Sequence, residues 1–390
     1  MLRLSQFLCG GYLVLALVVI VLTPLIGPLG TAPFPLPIGP AASPVVVSIA
    51  YGTEKEEWLQ DAAARFVATN PTLRGRPIQI ELEGIGSREM VNEIVEGDLQ
   101  PVVASPASML QVELLRHEWQ TRNNSEIFLE EPEPLVLTPL VIVAWEDRAD
   151  VLWPDGPNNF WDDLHDALSD QQGWSALGGD SNWGFVKFGH TSPELSNSGI
   201  QTLVLLAYGY HEKSTGLTTE DILDPDFQQW FEEVERSVLD FGESTGTFMT
   251  NMVQFGPSKY DMVAVYENLA VQNVEATQSR WGPIRVYYPP STIISEHPYG
   301  ILTAEWVTPE QQEAAARFRD FLLSTEIQEL SLQYGFRPAN PDVGFGGANS
   351  PFTRYADYGV QTSLPPVVEV PPADALTNLI ELWRRQGFGN

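Results

Sequence analysis

The sequence predicts an α/β protein made of two lobes, between which the chain crosses twice. Its 390 residues exceed the usual size of a single domain. From Val45 onward, short apolar runs typical of strands alternate with amphipathic runs typical of helices. This alternation favours a sheet covered by helices. It occurs in two parts of the chain, so we expect one sheet in each lobe.

The composition favours a folded body and argues against nucleic-acid binding. Hydrophobic residues make up 43% of the chain, which is enough for packed cores. The 51 acidic residues outnumber the 21 basic ones and give a formal net charge of -30, which would repel phosphate backbones. The acidity says nothing about a ligand, because it is typical of a soluble, self-repelling surface. Cys9 is the single cysteine, so an internal disulfide is excluded.

The N-terminal segment predicts export. Residues 12–27 are apolar and follow Arg3, which is the order found in signal peptides. The apolar run is also near the lower length limit for crossing a bilayer, so residues 1–30 are interpreted either as a signal peptide or as a membrane anchor. Residues 31–44 are rich in proline and predict an extended linker. We therefore expect an extracytoplasmic body, in the periplasm or at the cell surface.

Three strand-to-helix units open the predicted first lobe, and each places a hydroxyl side chain where its helix starts. The strands are predicted at 45–50, 78–83 and 101–104, and the hydroxyl residues are Thr53, Ser87 and Ser105. Thr53 fits a capping box with Glu56, Ser87 an N-cap, and Ser105 an N-cap before Pro106. Unpaired amides in a first helical turn also attract anions and polar oxygens. The hydroxyls are therefore interpreted either as caps or as ligand contacts.

The second lobe is predicted at 138–289, and the first lobe is completed by residues 45–137 and 290–390. The strand-like run 138–145 marks the first crossing and the run 284–289 the return, and the hinge is expected near residues 140–145 and 284–289. An amphipathic helix at 310–323 needs a sheet to cover, which supports the return to the first lobe. The single apolar stripe after residue 344 is too short for a separate domain and is expected to pack on a lobe.

The chain resembles the type II periplasmic binding proteins, especially the molybdate, sulfate and iron receptors of ABC transporters. The segments that carry the resemblance are 105–108 (Ser-Pro-Ala-Ser), 196–199 (Ser-Asn-Ser-Gly), and the helical run 314–323 followed by 334–338 (Tyr-Gly-Phe-Arg-Pro). The resemblance implies a two-lobed type II fold with two interlobe crossings. It also implies a receptor that holds a small polar solute in the cleft and delivers it to a membrane permease. No catalytic activity, cofactor or metal is implied, and we expect a monomer.

The candidate ligand contacts come from both predicted lobes. They are Thr53, Ser87, Arg88, Ser105, Ser196, Asn197, Ser198, Ser244, Thr245, Tyr266 and Glu267. A carboxylate at Glu267 would disfavour a bare anion in the cleft, although Arg88 could offset it. The class of solute therefore stays open between oxyanions, sugars and other polar molecules.

Two alternatives remain at the level of the sequence. The apolar N-terminal segment would suit a membrane-anchored sensory or scaffolding module with the same fold. Residues 242–246 fit the Gly-x-Ser-x-Gly pattern of hydrolase nucleophiles, but a predicted helix at 227–241 leads into Ser244 where an elbow needs a strand. His190 has no other metal ligand at short spacing, so a metal site is not predicted.

Overall fold

The architecture is that of a computed structural model, which describes residues 43–387. The predicted signal peptide or anchor, and the linker except Ser43 and Pro44, lie outside the described residues. The strands are β1 (Val45–Gly52), β2 (Thr72–Leu73), β3 (Arg76–Ile85), β4 (Val103–Ser105), β5 (Glu133–Pro134), β6 (Val136–Trp145), β7 (Phe188–Thr191), β8 (Phe241–Gly242), β9 (Met262–Tyr266), β10 (Ile284–Tyr287), β11 (Ile294–Ser295), β12 (Pro298–Ile301) and β13 (Arg337–Pro338).

The helices cover both sheets and supply most of the apolar surface packed on them. They are α1 (Glu56–Ala68), α2 (Ser87–Glu96), α3 (Met109–Asn123), α4 (Glu146–Leu152), α5 (Phe160–Ser169), α6 (Asn197–Tyr210), α7 (Thr219–Leu223), α8 (Pro225–Arg236), α9 (Thr245–Phe255), α10 (Glu267–Gln278), α11 (Pro309–Leu322), α12 (Thr325–Gln333), α13 (Pro351–Arg354) and α14 (Ala373–Arg385). Within residues 43–387, none of these helices is long and apolar enough to cross a membrane.

The first lobe is built on a sheet with the strand order β2-β3-β1-β4-β12-β5. Strands β3, β1 and β4 run parallel. Strand β2 pairs antiparallel with β3, β12 with β4, and β5 with β12. Because β1 and β4 run parallel, their C-terminal ends meet at one edge of the sheet, where Tyr51 pairs with Ser105. The loops that follow these strands therefore come together, which is the usual place for a ligand in an open α/β sheet.

The second lobe is built on a sheet with the order β10-β6-β9-β7-β8, and β11 and β13 also pair with β6. All residues of β6 except Leu137 are buried. A strand that is covered on both faces has a continuous apolar sequence. This explains why residues 138–145 were predicted as a strand.

The predicted two-lobed α/β fold is confirmed, but the passages between the sheets lie outside the predicted hinge segments. The chain enters the second sheet between β5 and β6 and returns between β11 and β12. The predicted hinge runs instead pair with each other inside the second sheet, with Ile284 opposite Trp145. A third passage, absent from the prediction, brings Arg337 of β13 next to Leu137 of β6.

The C-terminal tail packs on a lobe, as predicted, but the expectation that residues 290–390 all belong to the first lobe is wrong for this tail. The apolar stripe of α14, including Leu379 and Trp383, shares a core with Ile200 of α6 and Phe188 of β7. Helix α6 is almost wholly buried. It therefore presents apolar side chains on every side, and α14 covers one of them.

Candidate binding site between the lobes

The two lobes contact each other directly at the start of α2. The amides of Arg88 and Glu89 donate to the carbonyl oxygen of Leu195, at 3.1 and 3.2 Å. A Cβ atom on Gly86 would lie 2.5 Å from that same oxygen, so only glycine permits this approach. The helix start that was predicted to face a solute is therefore occupied by a carbonyl of the other lobe, and the lobes are closed on each other.

None of the three hydroxyls predicted as helix caps acts as one in the described chain. The N-cap positions belong to Lys55 for α1, Gly86 for α2 and Ser108 for α3, so each helix begins one to three residues away from the predicted position. These helix starts were placed wrongly because capping patterns mark a boundary only to within a few residues.

The same three hydroxyls nevertheless lie at or next to the interlobe contact. Thr53 Oγ1 accepts from the amide of Gly246 in the second lobe, at 3.2 Å. Ser87 Oγ accepts from the amide of Ala107, at 2.9 Å. The buried Ser105 Oγ has no hydrogen-bond partner among residues 43–387.

Asn197 connects the lobes through a single buried amide. Its Oδ1 accepts from Ser108 Oγ at 2.7 Å and from Gln111 Nε2 at 3.1 Å, both in the first lobe. Its Nδ2 donates to the hydroxyl of Tyr266 in the second lobe, at 3.0 Å. Burial raises the pKa of Tyr266 well above its usual value, so this hydroxyl is neutral and can still donate.

A cluster of hydroxyls lies beside Asn197 in the second lobe. Ser198 Oγ is 2.7 Å from both Thr191 Oγ1 and Thr245 Oγ1. Ser196 Oγ is 3.3 Å from the hydroxyls of Ser198 and Thr245. Ser196, Ser198 and Thr245, which were predicted as ligand contacts, therefore lie close together, and their hydroxyls contact each other and that of Thr191.

Glu267 and Arg88, predicted as charged groups of the cleft, are each neutralised by another residue. Glu267 forms a two-bond ion pair with Arg337, at 2.7 and 2.8 Å, and also accepts from Tyr288. Burial raises the pKa of Glu267, and the Arg337 guanidinium opposes this. Arg88 Nη2 donates to Glu118 at 2.7 Å. The expected conflict between Glu267 and an anionic solute is therefore absent from the described site.

A buried ionic cluster that the sequence did not single out lies where β1 ends. Lys55 Nζ is 3.2 Å from Glu54 Oε1, 2.8 Å from the carbonyl of Ser105 and 3.2 Å from that of Pro106. His297 Nδ1 is 3.1 Å from Glu54 Oε1 and 3.3 Å from Lys55 Nζ. Asn268 of the second lobe donates to the Glu54 carbonyl at 3.0 Å, so the cluster adjoins the interlobe contact.

The charges of this cluster follow from burial and from the ion pair. Burial would raise the pKa of Glu54, but Lys55 and His297 outweigh it and lower that pKa to about 2. Burial lowers the pKa of Lys55, and Glu54 opposes the shift. Burial and the nearby Lys55 lower the pKa of His297 to about 4. At neutral pH the cluster thus contains one carboxylate and one neutral imidazole beside the lysine.

Four buried polar atoms of this region have no partner in the part of the chain that the structure describes. They are Ser105 Oγ, Gln111 Oε1, His297 Nε2 and Arg88 Nη1. Buried side-chain polar atoms in folded proteins are nearly always hydrogen-bonded, since an unmet group costs free energy. The first three belong to residues that contact Lys55 or Asn197. Arg88 contacts the other lobe through its amide, which donates to the Leu195 carbonyl.

A pocket of 240 Å³ opens at this contact and is formed by both lobes. Its lining includes Thr53 and Glu54 from the first lobe and Gly246, Leu269 and Gln272 from the second. Two larger pockets, of 370 and 800 Å³, are lined by the second lobe with a single tail residue, Pro366, in the smaller. Among these three pockets, the 240 Å³ interlobe pocket is the one lined by a residue of the ionic cluster, Glu54. It is therefore the strongest candidate of the three for a ligand site.

The missed residues left only weak signals in the sequence. Glu54 and Lys55 lie in the loop after the first predicted strand, at an edge where side chains can face a cleft. Charged residues are seldom fully buried, so nothing in the composition marked them. His297 precedes β12 and has a positive φ of 48°, a local conformation that the sequence does not reveal.

The prediction for Ser244 rested on a wrong local context. A short strand, β8, precedes Ser244 and α9 follows it, so the order is strand, turn and helix after all. Its hydroxyl, however, donates to Thr247 Oγ1 at 2.9 Å. Within the described residues, none of its hydrogen bonds involves a histidine, as a nucleophile would require.

The class of protein is established by its family match. The chain belongs to the bacterial extracellular solute-binding proteins, whose family pattern matches residues 47–337. Members of this family bind solutes, so the chain is a binding protein rather than an enzyme. None of the curated proteins compared with the chain is significantly similar to it.

Solved structures share the fold at low sequence identity. The sulfate-binding protein SubI of Mycobacterium tuberculosis is 18% identical, with a TM-score of 0.53 over 85% of this chain and 95% of its own. The substrate-binding protein of an ABC transporter from Agrobacterium tumefaciens is 14% identical, with a TM-score of 0.56 over 90% and 97%. A periplasmic thiamin-binding protein is 12% identical, with a TM-score of 0.59 over 90% and 98%. At these identities the similarity establishes the fold alone.

Proposed function

We propose that this protein captures a small polar solute between its lobes and delivers it to the membrane permease of an ABC transporter. The observation that carries the proposal is the group of unpartnered buried atoms, Ser105 Oγ, Gln111 Oε1 and His297 Nε2, beside the interlobe contact. A solute between the lobes would supply the missing hydrogen bonds. It would also reach the predicted contacts of the second lobe, Asn197 and Tyr266.

The delivery step is supported by family and by similarity. The chain belongs to a family of extracellular solute-binding proteins, and one protein of the same fold is named as part of an ABC transporter. A solute that binds between the lobes would favour their closed arrangement over an open one. Closure would form a surface that the open arrangement lacks, and a permease could recognise that surface. Residues 1–30 would export the protein, as a cleaved signal or as an anchor.

The test is a ligand screen followed by a matched pair of substitutions. Purified protein lacking residues 1–42 is heated with a panel of sugars, amino acids, oxyanions and ferric iron, since a solute that binds only the native state raises the Tm. Ser105→Ala should weaken binding of the compound found by roughly tenfold. The exposed Ser279→Ala is the control and should bind like the wild type. A bound compound that is insensitive to Ser105→Ala would place the solute elsewhere.

A further inference from the structure

Strand β3 lies at the edge of the first sheet for most of its length. It pairs with β1 from Ile78 to Ile85, whereas β2 pairs with it only at Arg76 and Pro77. Apart from the ladder with β1, the backbone of residues 79–85 makes no hydrogen bond within residues 43–387. In a parallel ladder, alternate residues direct their amide and carbonyl groups away from the paired strand. This edge therefore presents a row of free backbone donors and acceptors.

Strand β3 lacks most of the features that close an edge strand to partners. Such strands are commonly short, or they carry a bulge, a lysine or a proline along the free edge. Strand β3 has 10 residues, and its register with β1 runs without a break. Its single proline, Pro77, lies in the hairpin with β2 rather than on the free edge. Residues 79–85 are therefore regular enough to accept a further strand.

The side chains of β3 divide into an apolar face and an acidic face, because successive side chains of a strand point to opposite sides of the sheet. Ile80 and Leu82 are half-buried and pack against the core of the first lobe. Gln79, Glu81 and Glu83 are exposed on the opposite face. A strand added to the edge would cover more of the apolar pair and would contact the two glutamates.

The two exposed glutamates are not neutralised by the arginines that flank β3, because these arginines pair with other carboxylates. They are Arg74 and Arg76, which pair with Glu310, and Arg88, which pairs with Glu118. Opposite charges on neighbouring strands stabilise pairing, and like charges oppose it. The edge therefore favours an incoming strand with basic side chains and disfavours an acidic one.

A second copy of this chain is a poor occupant of the edge. Two β3 strands related by a two-fold axis would run antiparallel. If they were centred on Leu82, Glu81 of one copy would lie opposite Glu83 of the other, and like charges in that position are destabilising. Each copy also carries a formal net charge of -30, so the copies repel each other.

We infer that β3 is a docking edge for an extended, basic segment of a partner protein, which adds a strand to the first sheet. In this mode of recognition the main-chain hydrogen bonds supply affinity, and the alternate side chains supply specificity. None of residues 79–85 lines the interlobe pocket. The inference therefore goes beyond the proposed function, and it holds whichever solute binds between the lobes.

The first experiment titrates the full chain with three synthetic peptides by calorimetry. One alternates lysine with valine, one alternates glutamate with valine, and one is the lysine peptide N-methylated at every residue, which removes its backbone donors. We expect the lysine peptide to bind and the glutamate peptide not to bind. The N-methylated peptide should bind roughly tenfold more weakly than the lysine peptide, because it cannot complete the ladder.

Amide hydrogen exchange then locates the bound peptide. Exchange of residues 79–85 should slow when the lysine peptide binds, because free edge amides become hydrogen-bonded. Unchanged exchange at these residues would overturn the inference. Equal affinity of the lysine peptide and its N-methylated form would also overturn it, since charge alone would then account for the binding.

The second experiment compares the double variant Glu81→Gln, Glu83→Gln with the control Glu220→Gln, Glu329→Gln. All four glutamates are exposed, so both double variants lose the same charge from the surface. We expect the first to bind the lysine peptide roughly fivefold more weakly than the wild type, and the control to bind like the wild type. Equal affinity in the two double variants would refute a basic partner.

Sedimentation of the full chain at low and high salt tests the rival occupant. Salt screens the repulsion between copies, so any pairing through β3 should appear at high salt. We expect residues 79–85 to exchange equally fast at both salt concentrations, without formation of a dimer through this edge. A dimer in which these residues become protected would assign the edge to a second copy and overturn the inference. None of these outcomes bears on solute binding between the lobes.

Discussion

Arg337 and Glu267 form a buried ion pair in which Nε contacts Oε2 at 2.8 Å and Nη2 contacts Oε1 at 2.7 Å. Arg337 is in β13 and Glu267 begins α10, so the pair fastens the third passage of the chain to the second lobe. The same guanidinium donates to the carbonyls of Gln361 and Thr362 in the tail. Glu267 thus has a structural role where the sequence predicted a ligand contact.

The first prediction concerns this pair. Glu267→Gln should lower the free energy of unfolding by about 3 kcal/mol, because it leaves the Arg337 charge buried without a counter-ion. The double variant Glu267→Gln, Arg337→Met should recover part of that loss. Urea unfolding of the wild type, both single variants and the double variant gives the coupling directly. If the double variant lost as much free energy of unfolding as the two single variants together, the assignment would be contradicted.

The second prediction concerns the attachment of the C-terminal helix. Trp383 Nε1 donates to Glu235 Oε2 at 2.9 Å, and Glu235 also contacts His190 in the interior of the second lobe. Trp383→Phe removes the indole donor while keeping an aromatic ring, so it should cost roughly 1–3 kcal/mol and expose α14 to protease. The partly exposed Trp281→Phe is the matched control, since it also loses one indole hydrogen bond. Equal proteolysis of the two variants would show that this bond does not hold the tail.

These contacts indicate what the sequence could and could not predict. The apolar run of β6 and the apolar stripe of α14 were predicted to be buried, because the spacing of apolar residues along the chain indicates which faces are covered. Ser196, Ser198 and Thr245 were also predicted to face the same cleft, because they lie in predicted loops rich in hydroxyl side chains. The sequence could not predict that α14 covers the second lobe or that Lys55 is buried. Both depend on partners distant in sequence, which periodicity does not encode.

The third prediction is a dependence of stability on pH through His297. Its pKa is lowered from 6.5 to about 4 by burial and by Lys55. Between these values the unfolded chain binds more protons than the folded one, so stability is greatest above pH 6.5 and falls as the pH drops toward 4. The full effect is roughly 3 kcal/mol.

The His297 effect is measured by urea unfolding at intervals from pH 7 to pH 4. His297→Gln should flatten the slope over this range, whereas exposed His117→Gln should leave it unchanged. A slope that survives in His297→Gln would assign the pH dependence to another group. Below about pH 4, Glu54 should add a further loss, since its pKa is lowered to about 2.

The fourth prediction concerns closure of the lobes at Gly86. A Cβ atom there would lie 2.5 Å from the carbonyl oxygen of Leu195 and 3.0 Å from that of Glu243, both in the second lobe. The Gly86 backbone has φ of -59°, which any residue tolerates, so Gly86→Ala should fold but resist closure. We expect a larger radius of gyration by small-angle X-ray scattering and weaker solute binding. Gly344→Ala is the control, because a Cβ atom there meets nothing within 4 Å. A wild-type radius and affinity in Gly86→Ala would mean that closure does not depend on this contact.

The last prediction separates two serines that the sequence placed in one site. Ser198 Oγ is bonded to Thr191 and Thr245 at 2.7 Å each, whereas Ser105 Oγ has no partner within residues 43–387. Ser198→Ala should therefore lower the free energy of unfolding by roughly 1–3 kcal/mol in the absence of solute, since it leaves two buried hydroxyls each short of a partner. Ser105→Ala should change that free energy little, because it removes a polar atom whose bond is not made within the chain. With solute present the order reverses, and Ser105→Ala should lose roughly tenfold in affinity. Urea unfolding without solute and calorimetry with it test both halves on the same two proteins. Loss of stability without solute in Ser105→Ala, together with unchanged affinity, would mean that its hydroxyl serves the fold and that the solute binds elsewhere.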